Sequence, residues 1–241
     1  MIELKNFSCS YDDKSIINNI NLSITTHINI LGANGSGKST LAKCLCKITE
    51  YEGEILFDGV NSQTISSKEL AKKISYIPTK LEIYDEYISV EEFVLLSRFA
   101  HKKSFLDYTQ DDYAKVKHSL QTLSITHLAS HSVQSLSSGE QQLTLIACAL
   151  ASQSKIIIFD EPTANLDPKN SKIIANHIKA LKESLSIILI THDLQLASFI
   201  DSPTLFIKNG DATLYEKEFY DAKNLEALYE VSFNDLAVKY E

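Results

Sequence analysis

The sequence contains a glycine-rich stretch suited to holding phosphate, Gly32-Ala33-Asn34-Gly35-Ser36-Gly37-Lys38-Ser39-Thr40. It fits the pattern GxxxxGK[ST] and lies between an apolar run that ends at Leu31 and a helical pattern that begins near Lys38. Glycines let successive backbone N–H groups curl around phosphate oxygens, and the N-terminus of a helix adds positive potential. We therefore expect Lys38 to reach the β and γ phosphates of a nucleoside triphosphate, and Ser39 to ligate Mg²⁺.

Two adjacent carboxylates form a second candidate site. Asp160 and Glu161 follow the apolar run Ile156 to Phe159, and ligands bind at the carboxyl ends of parallel strands. We expect Asp160 to hold Mg²⁺, usually through water, and Glu161 to orient or deprotonate the water that attacks the γ-phosphate. A strand-ending Asp-Glu pair is by itself often only a solvated terminus, so this interpretation depends on the Lys38 loop.

A serine-rich segment that opens a helical pattern separates this chain from other phosphate-loop proteins. It reads Leu136-Ser137-Ser138-Gly139-Glu140-Gln141-Gln142 and comes shortly before the Asp160 strand. Alone it would be a serine N-cap with nothing bound. Beside the two candidate sites it resembles the signature motif of the nucleotide-binding subunits of ATP-binding-cassette (ABC) proteins. In that family the signature of one subunit closes over ATP held by another. The resemblance implies a head-to-tail dimer of two copies, in which the partner's ATP is bound by Ser137, Ser138, Gly139 and Glu140.

Further segments extend the resemblance over nearly the whole chain. Tyr11 falls where the family places an aromatic ring on the adenine. Asp167 falls in the loop that runs along the dimer seam, and His192 falls where a histidine contacts the γ-phosphate. The resemblance thus implies an ATPase with ATP and Mg²⁺ as its cofactors. The catalytic residues that it implies are Glu161, His192 and Lys38.

Two departures from the family pattern leave alternatives open. Thr79 follows Ser75-Tyr76-Ile77-Pro78 at a place where the family commonly carries a glutamine that touches Mg²⁺ and the attacking water. Threonine is too short to copy that reach, so a nucleotide-gated module that barely hydrolyses ATP is one alternative. In the signature, Ser138 replaces the first of two usual glycines and Glu140 replaces the usual glutamine.

A lineage within the family is indicated by the segment Ser89 to His101. This segment resembles the helical-domain sequence of ATPases that serve iron-siderophore, haem and cobalamin importers, although Ser97 and Ala100 replace two of its usual residues. The resemblance implies a peripheral subunit at the cytoplasmic face of the inner membrane, working with separate integral membrane permease subunits and, indirectly, a substrate-binding protein. The alternatives are a soluble ABC ATPase of the iron-sulfur assembly type and the ATPase of an exporter.

Composition places limits on the class of protein. The chain has 241 residues, of which 44% are hydrophobic and 22% are charged, as in ordinary globular proteins. A net charge of −8 argues against nucleic acid as a partner, since sequence-independent binding to phosphate backbones needs a basic surface. No apolar run reaches the roughly 18 residues that cross a bilayer, so we expect no membrane-spanning segment in this sequence.

The apolar runs predict an α/β fold. Ile28 to Leu31, Ile156 to Phe159 and Ile187 to Ile190 are rich in β-branched residues and apolar except for Asn29, as strands buried on both faces of a central, mainly parallel sheet should be. Alternation in Ile2 to Phe7 predicts an antiparallel β subdomain. With the resemblance, this gives a phosphate-loop NTPase of the ABC ATPase architecture. We expect one domain over residues 1–241, with its core at 1–83 and 136–215, a helical subdomain at 84–135 and a helical tail at 216–241.

Overall fold

The computed structural model of the chain describes residues 1–11, 14–81, 85–102, 107–216 and 219–229. The strands are β1 (Ile2–Tyr11), β2 (Lys14–Ile24), β3 (Ile28–Gly32), β4 (Glu52–Phe57), β5 (Val60–Asn61), β6 (Ile74–Ile77), β7 (Ile156–Asp160), β8 (Ser186–Ile190), β9 (Thr204–Lys208) and β10 (Asp211–Tyr215). The helices are α1 (Lys38–Leu45), α2 (Ser67–Ala71), α3 (Val90–Leu96), α4 (Gln110–Thr122), α5 (Ser138–Ser152), α6 (Pro168–Leu181), α7 (Leu194–Ile200) and α8 (Ala222–Tyr229). Across these ranges, none of the helices combines the length and the apolar character that crossing a membrane requires.

The chain divides into two compact units. The first unit consists of Met1–Ile65 together with Ile178–Glu241, and the second unit consists of Ser66–His177. The glycine-rich loop and His192 therefore belong to the first unit, whereas the Asp160 strand and the serine-rich segment belong to the second.

An antiparallel sheet forms one part of the first unit, with the strand order β2-β1-β4-β5. Leu4 of β1 pairs with Leu22 on one side and with Ile55 on the other, and all three side chains are buried. The alternation of apolar and polar residues predicts this arrangement, because alternate side chains of a strand point to the same face. The turn Asp58-Gly59, with positive φ at both residues, joins β4 to β5.

A second sheet in the first unit places the glycine-rich loop. Strand β3 lies between β8 and β9 and runs parallel to both, while β10 pairs antiparallel with the outer side of β9. All five residues of β3 are buried, as expected for a strand covered on both faces, and the polar side chain among them, Asn29, donates a hydrogen bond to the Ala197 carbonyl oxygen at 2.8 Å. Because β3 ends at Gly32 and α1 begins at Lys38, the loop between them leaves the carboxyl edge of the sheet.

The second unit combines a parallel strand pair with helices. Residues Ile74 to Ile77 of β6 pair in parallel with Ile156 to Phe159 of β7. Helices α3 and α4 each begin with a capping box, formed by Ser89 and Glu92 in α3, and by Thr109 and Asp112 in α4. Asp112 also accepts a hydrogen bond from Arg98 Nε at 2.9 Å in a buried ion pair. The Arg98 guanidinium donates a further bond to the carbonyl of Ala151 at 2.8 Å, which ties the end of α5 to the same cluster.

The predicted α/β class, with parallel strands and a separate antiparallel region, is confirmed. The described residues between 85 and 135 form helices and turns, and α8 lies in the predicted tail. The predicted boundary near residue 84 and residues 230–241 lie outside the described part of the chain, so the exact division into subdomains stays a prediction.

Candidate nucleotide-binding site

The glycines of the phosphate loop are required by close approaches of the backbone. Gly32 has φ 151°, and a Cβ atom there would lie 2.3 Å from the Ile207 carbonyl oxygen. Gly37 has φ 99°, and a Cβ atom there would lie 2.0 Å from Cγ2 of Ile16. A side chain at either position would force the loop away from the strands that support it. The close approaches of Ile207 and Ile16 therefore explain why these two positions carry glycine.

Lys38 is held inside this loop. Its side chain is buried, and Nζ donates hydrogen bonds to the carbonyl oxygens of Gly32 at 2.9 Å and Ala33 at 3.0 Å. The ammonium group thus lies against the loop backbone. A phosphate oxygen can replace one of the two carbonyl oxygens as its hydrogen-bond acceptor. Ser39 and Thr40 follow in the first turn of α1 and are half-buried. The hydroxyl of Ser36 is buried and has no hydrogen-bond partner among the residues described, which leaves one unsatisfied polar group within the loop.

A cleft of about 390 Å³ opens beside the loop. The loop residues Ala33 to Ser36 form one wall, and Ser15, Ile16 and residues 207–210 form the other. Lys208 and Asn209 lie in this second wall, at the turn that joins β9 to β10. The sequence did not predict these two residues. They lie in a hairpin turn about 170 residues after the loop, and no sequence pattern indicates that this turn lies beside the loop.

The two carboxylates stand where the sequence predicts them. Asp160 is the last residue of β7 and is only 2% exposed, and its Oδ2 atom accepts a hydrogen bond from the Tyr76 hydroxyl at 2.7 Å. Glu161 follows with φ 52°, a left-handed backbone conformation that costs an ordinary residue roughly 1–2 kcal/mol. Carboxylate and hydroxyl oxygens are the hard ligands that Mg²⁺ prefers, so Asp160 and Ser39 each carry a donor group of the kind that this ion accepts.

The serine-rich segment begins helix α5 with a capping box. The N–H and the hydroxyl of Ser137 donate to Glu140 Oε2 at 2.9 Å and 2.6 Å. These hydrogen bonds from the Ser137 side chain and backbone hold the pKa of the Glu140 carboxyl below its usual value. Ser137 and Ser138 are exposed, so the start of this helix is open to a ligand or a partner. Glu140 therefore has a local role in the helix cap, which the spacing Ser-x-x-Glu could have predicted.

Asp167 caps the next helix in the second unit. Its carboxylate accepts hydrogen bonds from the backbone N–H groups of Lys169 at 2.9 Å and Asn170 at 3.0 Å. Asn170 Nδ2 donates to the other carboxylate oxygen at 2.6 Å. These hydrogen bonds, that of the Asn170 backbone first, lower the pKa of Asp167. The side chain of Asp167 is exposed and fixed at the start of α6.

His192 leaves the same sheet edge as the phosphate loop. Thr191 directly after β8 donates its N–H to the Ile30 carbonyl of β3 at 3.2 Å, which extends the pairing of the two strands to their carboxyl ends. His192 comes next and is exposed, while Asp193 caps α7 through hydrogen bonds from the N–H groups of Gln195 and Leu196. The first unit thus places the Lys38 loop and His192 at the same edge of the sheet.

Comparison with known proteins identifies the family. The family model described as ABC transporter matches residues 17–164, which is more than half of the 241-residue chain. The matched segment contains the phosphate loop, the serine-rich segment and the two carboxylates.

The chain belongs to the ABC transporter family.

ATP-binding proteins of the family that are named as import proteins resemble the chain over most of its length. The phosphonates import ATP-binding protein PhnC of Fusobacterium nucleatum is 32% identical over 230 residues, which cover 90% of this chain and 92% of the relative. The petrobactin import ATP-binding protein YclP of Bacillus subtilis is 29% identical over 239 residues, which cover 96% of this chain and 94% of the relative. Both relatives match as whole ATP-binding subunits rather than as fragments.

Solved ABC structures have the same fold. A chain from an inward-facing ABC transporter assigned to the metal-chelate type superposes with a TM-score of 0.83 at 28% identity, covering 96% of this chain and 89% of that chain. A dimeric ATP-binding cassette in a post-hydrolysis state with ADP and Pi superposes with a TM-score of 0.75 at 27% identity, covering 90% of this chain and 98% of that chain. These likenesses confirm the phosphate-loop NTPase architecture of ABC ATPases, and the chain is an ATP-binding, ATP-hydrolysing member of that family.

The structure gives the positions of most residues that were predicted to form the ABC site. Gly32 to Thr40 form the loop and the first turn of α1, Asp160 ends β7 with Glu161 directly after it, and Ser137 to Glu140 open α5. Tyr11 is the last residue of β1, but its side chain lies outside the described part of the structure. Thr79 is exposed after β6. The roles of all these residues toward nucleotide stay predictions.

Proposed function

We propose that the chain is the ATP-hydrolysing subunit of a membrane importer for an iron chelate, such as a siderophore or haem, or for cobalamin. ATP-driven closure of a dimer of two copies powers transport through separate permease subunits. The observation that carries the catalytic part of this proposal is the phosphate loop, in which Lys38 is buried against the loop carbonyls and close approaches of the backbone require glycine at positions 32 and 37.

The phosphate loop binds the triphosphate by substitution of its own hydrogen bonds. Lys38 Nζ now donates to two loop carbonyls, and a phosphate oxygen that replaces one of them gains a charge-assisted bond. Backbone N–H groups of the loop and of the first turn of α1 complete the cradle, because the N-terminus of a helix favours an anion. Tyr11 stacks on the adenine.

The hydrolytic step is assigned to residues at the strand ends. Ser39 and Asp160 would hold Mg²⁺, which when bound neutralises the charge that develops on the phosphates. Glu161 orients the attacking water and accepts its proton, and His192 contacts the γ-phosphate. The left-handed backbone of Glu161 supports this assignment, since residues held in strained conformations cluster at functional sites.

The signature residues bind the nucleotide of the second copy. Ser137 and Ser138 are exposed at the N-terminus of the 15-residue helix α5, whose positive end suits a phosphate. A related cassette at 27% identity is a dimer with ADP and Pi, which supports pairing of two copies here. Asp167 would then lie at the seam between them.

The relatives support an iron chelate as the transported substrate. The importer relative for petrobactin and the metal-chelate type transporter both resemble nearly the whole chain. The phosphonate importer relative is slightly more similar in sequence, so phosphonate is the competing substrate. The chain would act as a peripheral subunit at the cytoplasmic face of the inner membrane, with a substrate-binding protein supplying the permease.

The test is reconstitution with the permease. The tagged chain is expressed with a permease and a binding protein of the iron-chelate importer type, purified from membranes and placed in liposomes. We expect co-purification with the permease and ATPase activity that rises when the binding protein carries a ferric chelate. Stimulation by phosphonate instead would replace the substrate, and an ATPase that never co-purifies with a membrane protein would favour the soluble assembly type.

A further inference from the structure

A hydrogen bond links Tyr76 to the carboxylate that ends β7. The Tyr76 hydroxyl donates to Asp160 Oδ2 at 2.7 Å, across 84 residues of sequence. In the parallel pair of β6 and β7, Tyr76 lies in register with Ile158. Asp160 is two residues further along β7 and therefore on the same face as Ile158, and two residues of a strand span roughly 6.6 Å. A tyrosine side chain is long enough to cover that distance, so the register of the two strands aims its hydroxyl at the carboxylate.

The bond fixes the orientation of a buried group. Asp160 is 2% exposed, and a buried carboxylate is costly unless hydrogen bonds compensate for the lost water. A hydroxyl that donates to Oδ2 restricts the rotation of the carboxyl group and thereby determines where its remaining lone pairs point. Groups that orient a metal-binding carboxylate in this way affect metal affinity, even though they never touch the metal.

We propose that Tyr76 is a positioning residue for Mg²⁺, which holds Asp160 in the orientation that binds the hydrated ion of Mg²⁺·ATP. This inference rests on the proposed role of Asp160. Loss of the Tyr76 hydroxyl should lower the affinity for the divalent ion and the turnover at limiting Mg²⁺. It should leave the binding of metal-free ATP unchanged.

The neighbouring residue Ser75 supplies a matched control. Ser75 Oγ lies 2.9 Å from Ser152 Oγ and accepts a hydrogen bond from Ser154 Oγ at 2.9 Å. Adjacent residues of a strand point to opposite faces, so Ser75 makes half-buried hydrogen bonds on the face of β6 away from Asp160. Ser75→Ala therefore removes hydrogen bonds from the same strand without touching the carboxylate.

The experiment compares Tyr76→Phe, Ser75→Ala and Asp160→Ala in the full chain. Mn²⁺ serves as the probe, and its affinity for the ATP complex is measured by electron paramagnetic resonance. ATP affinity in EDTA and the free energy of unfolding in urea are measured in parallel. We expect Tyr76→Phe to weaken Mn²⁺ binding by about tenfold or more, as loss of an outer hydrogen bond to a metal ligand does, and to leave ATP affinity in EDTA unchanged. Excess Mg²⁺ should then restore much of the lost turnover. Ser75→Ala should leave Mn²⁺ affinity at the wild-type value whatever it does to stability.

The double variant Tyr76→Phe with Asp160→Ala separates positioning from general stability. If Tyr76 acts through Asp160, the Phe substitution has no further effect on Mn²⁺ affinity once the carboxylate is gone. Wild-type Mn²⁺ affinity in Tyr76→Phe, with Asp160→Ala still impaired, would overturn the role of Tyr76 alone. Unchanged Mn²⁺ affinity in Asp160→Ala would instead remove the proposed role of Asp160 and the inference with it.

Discussion

Gly139 lies directly beneath the side chain of Asn170. A Cβ atom at Gly139 would stand 2.8 Å from Asn170 Cγ and 2.9 Å from its Oδ1. Asn170 has little freedom to retreat, because its Nδ2 donates to the Asp167 carboxylate and its N–H is bound to the same group. The start of helix α5 and the cap of α6 are thus in contact within one subunit, so a side chain at position 139 would press on the amide that holds Asp167.

The first prediction concerns Gly139→Ala. In a helix, alanine is favoured over glycine by roughly 0.8–1 kcal/mol, but here its methyl group must displace the Asn170 amide and break its bond to Asp167. We expect ATPase activity to fall by about tenfold or more, equivalent to roughly 1.4 kcal/mol, with little loss of stability. Adding Asn170→Ala should recover part of the activity, which a double-mutant cycle measures. Strictly additive effects of the two substitutions would show that the contact has no role.

The second prediction concerns Lys38→Ala. The substitution removes the charge that the loop presents to phosphate, and a hydrogen bond to a charged group contributes about 1.5–3 kcal/mol. We expect ATP affinity to fall by roughly ten- to a hundredfold in equilibrium binding. Lys43→Ala is the control, because Lys43 is an exposed lysine on the same helix and should leave affinity unchanged. Equal affinities for both variants would contradict the phosphate-loop assignment.

The third prediction uses the backbone of Glu161. Its φ of 52° penalises any residue with a Cβ atom, whereas glycine adopts it without strain. Both Glu161→Gly and Glu161→Ala remove the carboxylate, so we expect both to lose turnover. Urea unfolding should nevertheless find the glycine variant more stable than the alanine variant by about 1 kcal/mol. An alanine variant of equal or greater stability would mean that the left-handed conformation is not maintained in solution.

The fourth prediction is a pH dependence of stability. Burial lowers the pKa of His177 from its ordinary value of 6.5, because the charged imidazolium is desolvated in the folded chain. The unfolded chain therefore binds more protons than the folded chain as the pH falls below about 6.5, and the contribution of His177 to stability is lost in that range. His177→Gln should reduce the drop in unfolding free energy between pH 7.5 and 5.5. An identical drop in both proteins would show that His177 does not titrate differently on folding.

Sequence patterns predicted the local elements of this protein better than its long-range contacts. The loop from Gly32 to Lys38 and the two carboxylates at the end of β7 were predictable, because each depends on residues that are neighbours in sequence. The motif predicts glycine at position 37. The physical reason for this glycine is the close approach of Ile16, a tertiary contact that the motif does not show.

Other contacts follow only from the folded chain. The bond from Tyr76 to Asp160 depends on the register of β6 against β7. The contact of Gly139 with Asn170 depends on how α5 and α6 begin side by side. The cleft wall formed by Lys208 and Asn209 likewise depends on the pairing of β9 with β3. Periodicity and motif spacing carry no information on these three relationships.

In the proposed mechanism two copies of the chain enclose ATP, and this pairing can be measured by sedimentation of the Glu161→Gln protein. Loss of the general base should lower turnover by about 10² or more and trap the ATP-bound state. With ATP, we expect a species of twice the 27.0 kDa chain mass that retains two nucleotides, and a monomer without ATP or when Lys38→Ala is added. A Glu161→Gln protein that binds ATP and stays at 27.0 kDa at high protein concentration would show that two copies do not enclose ATP.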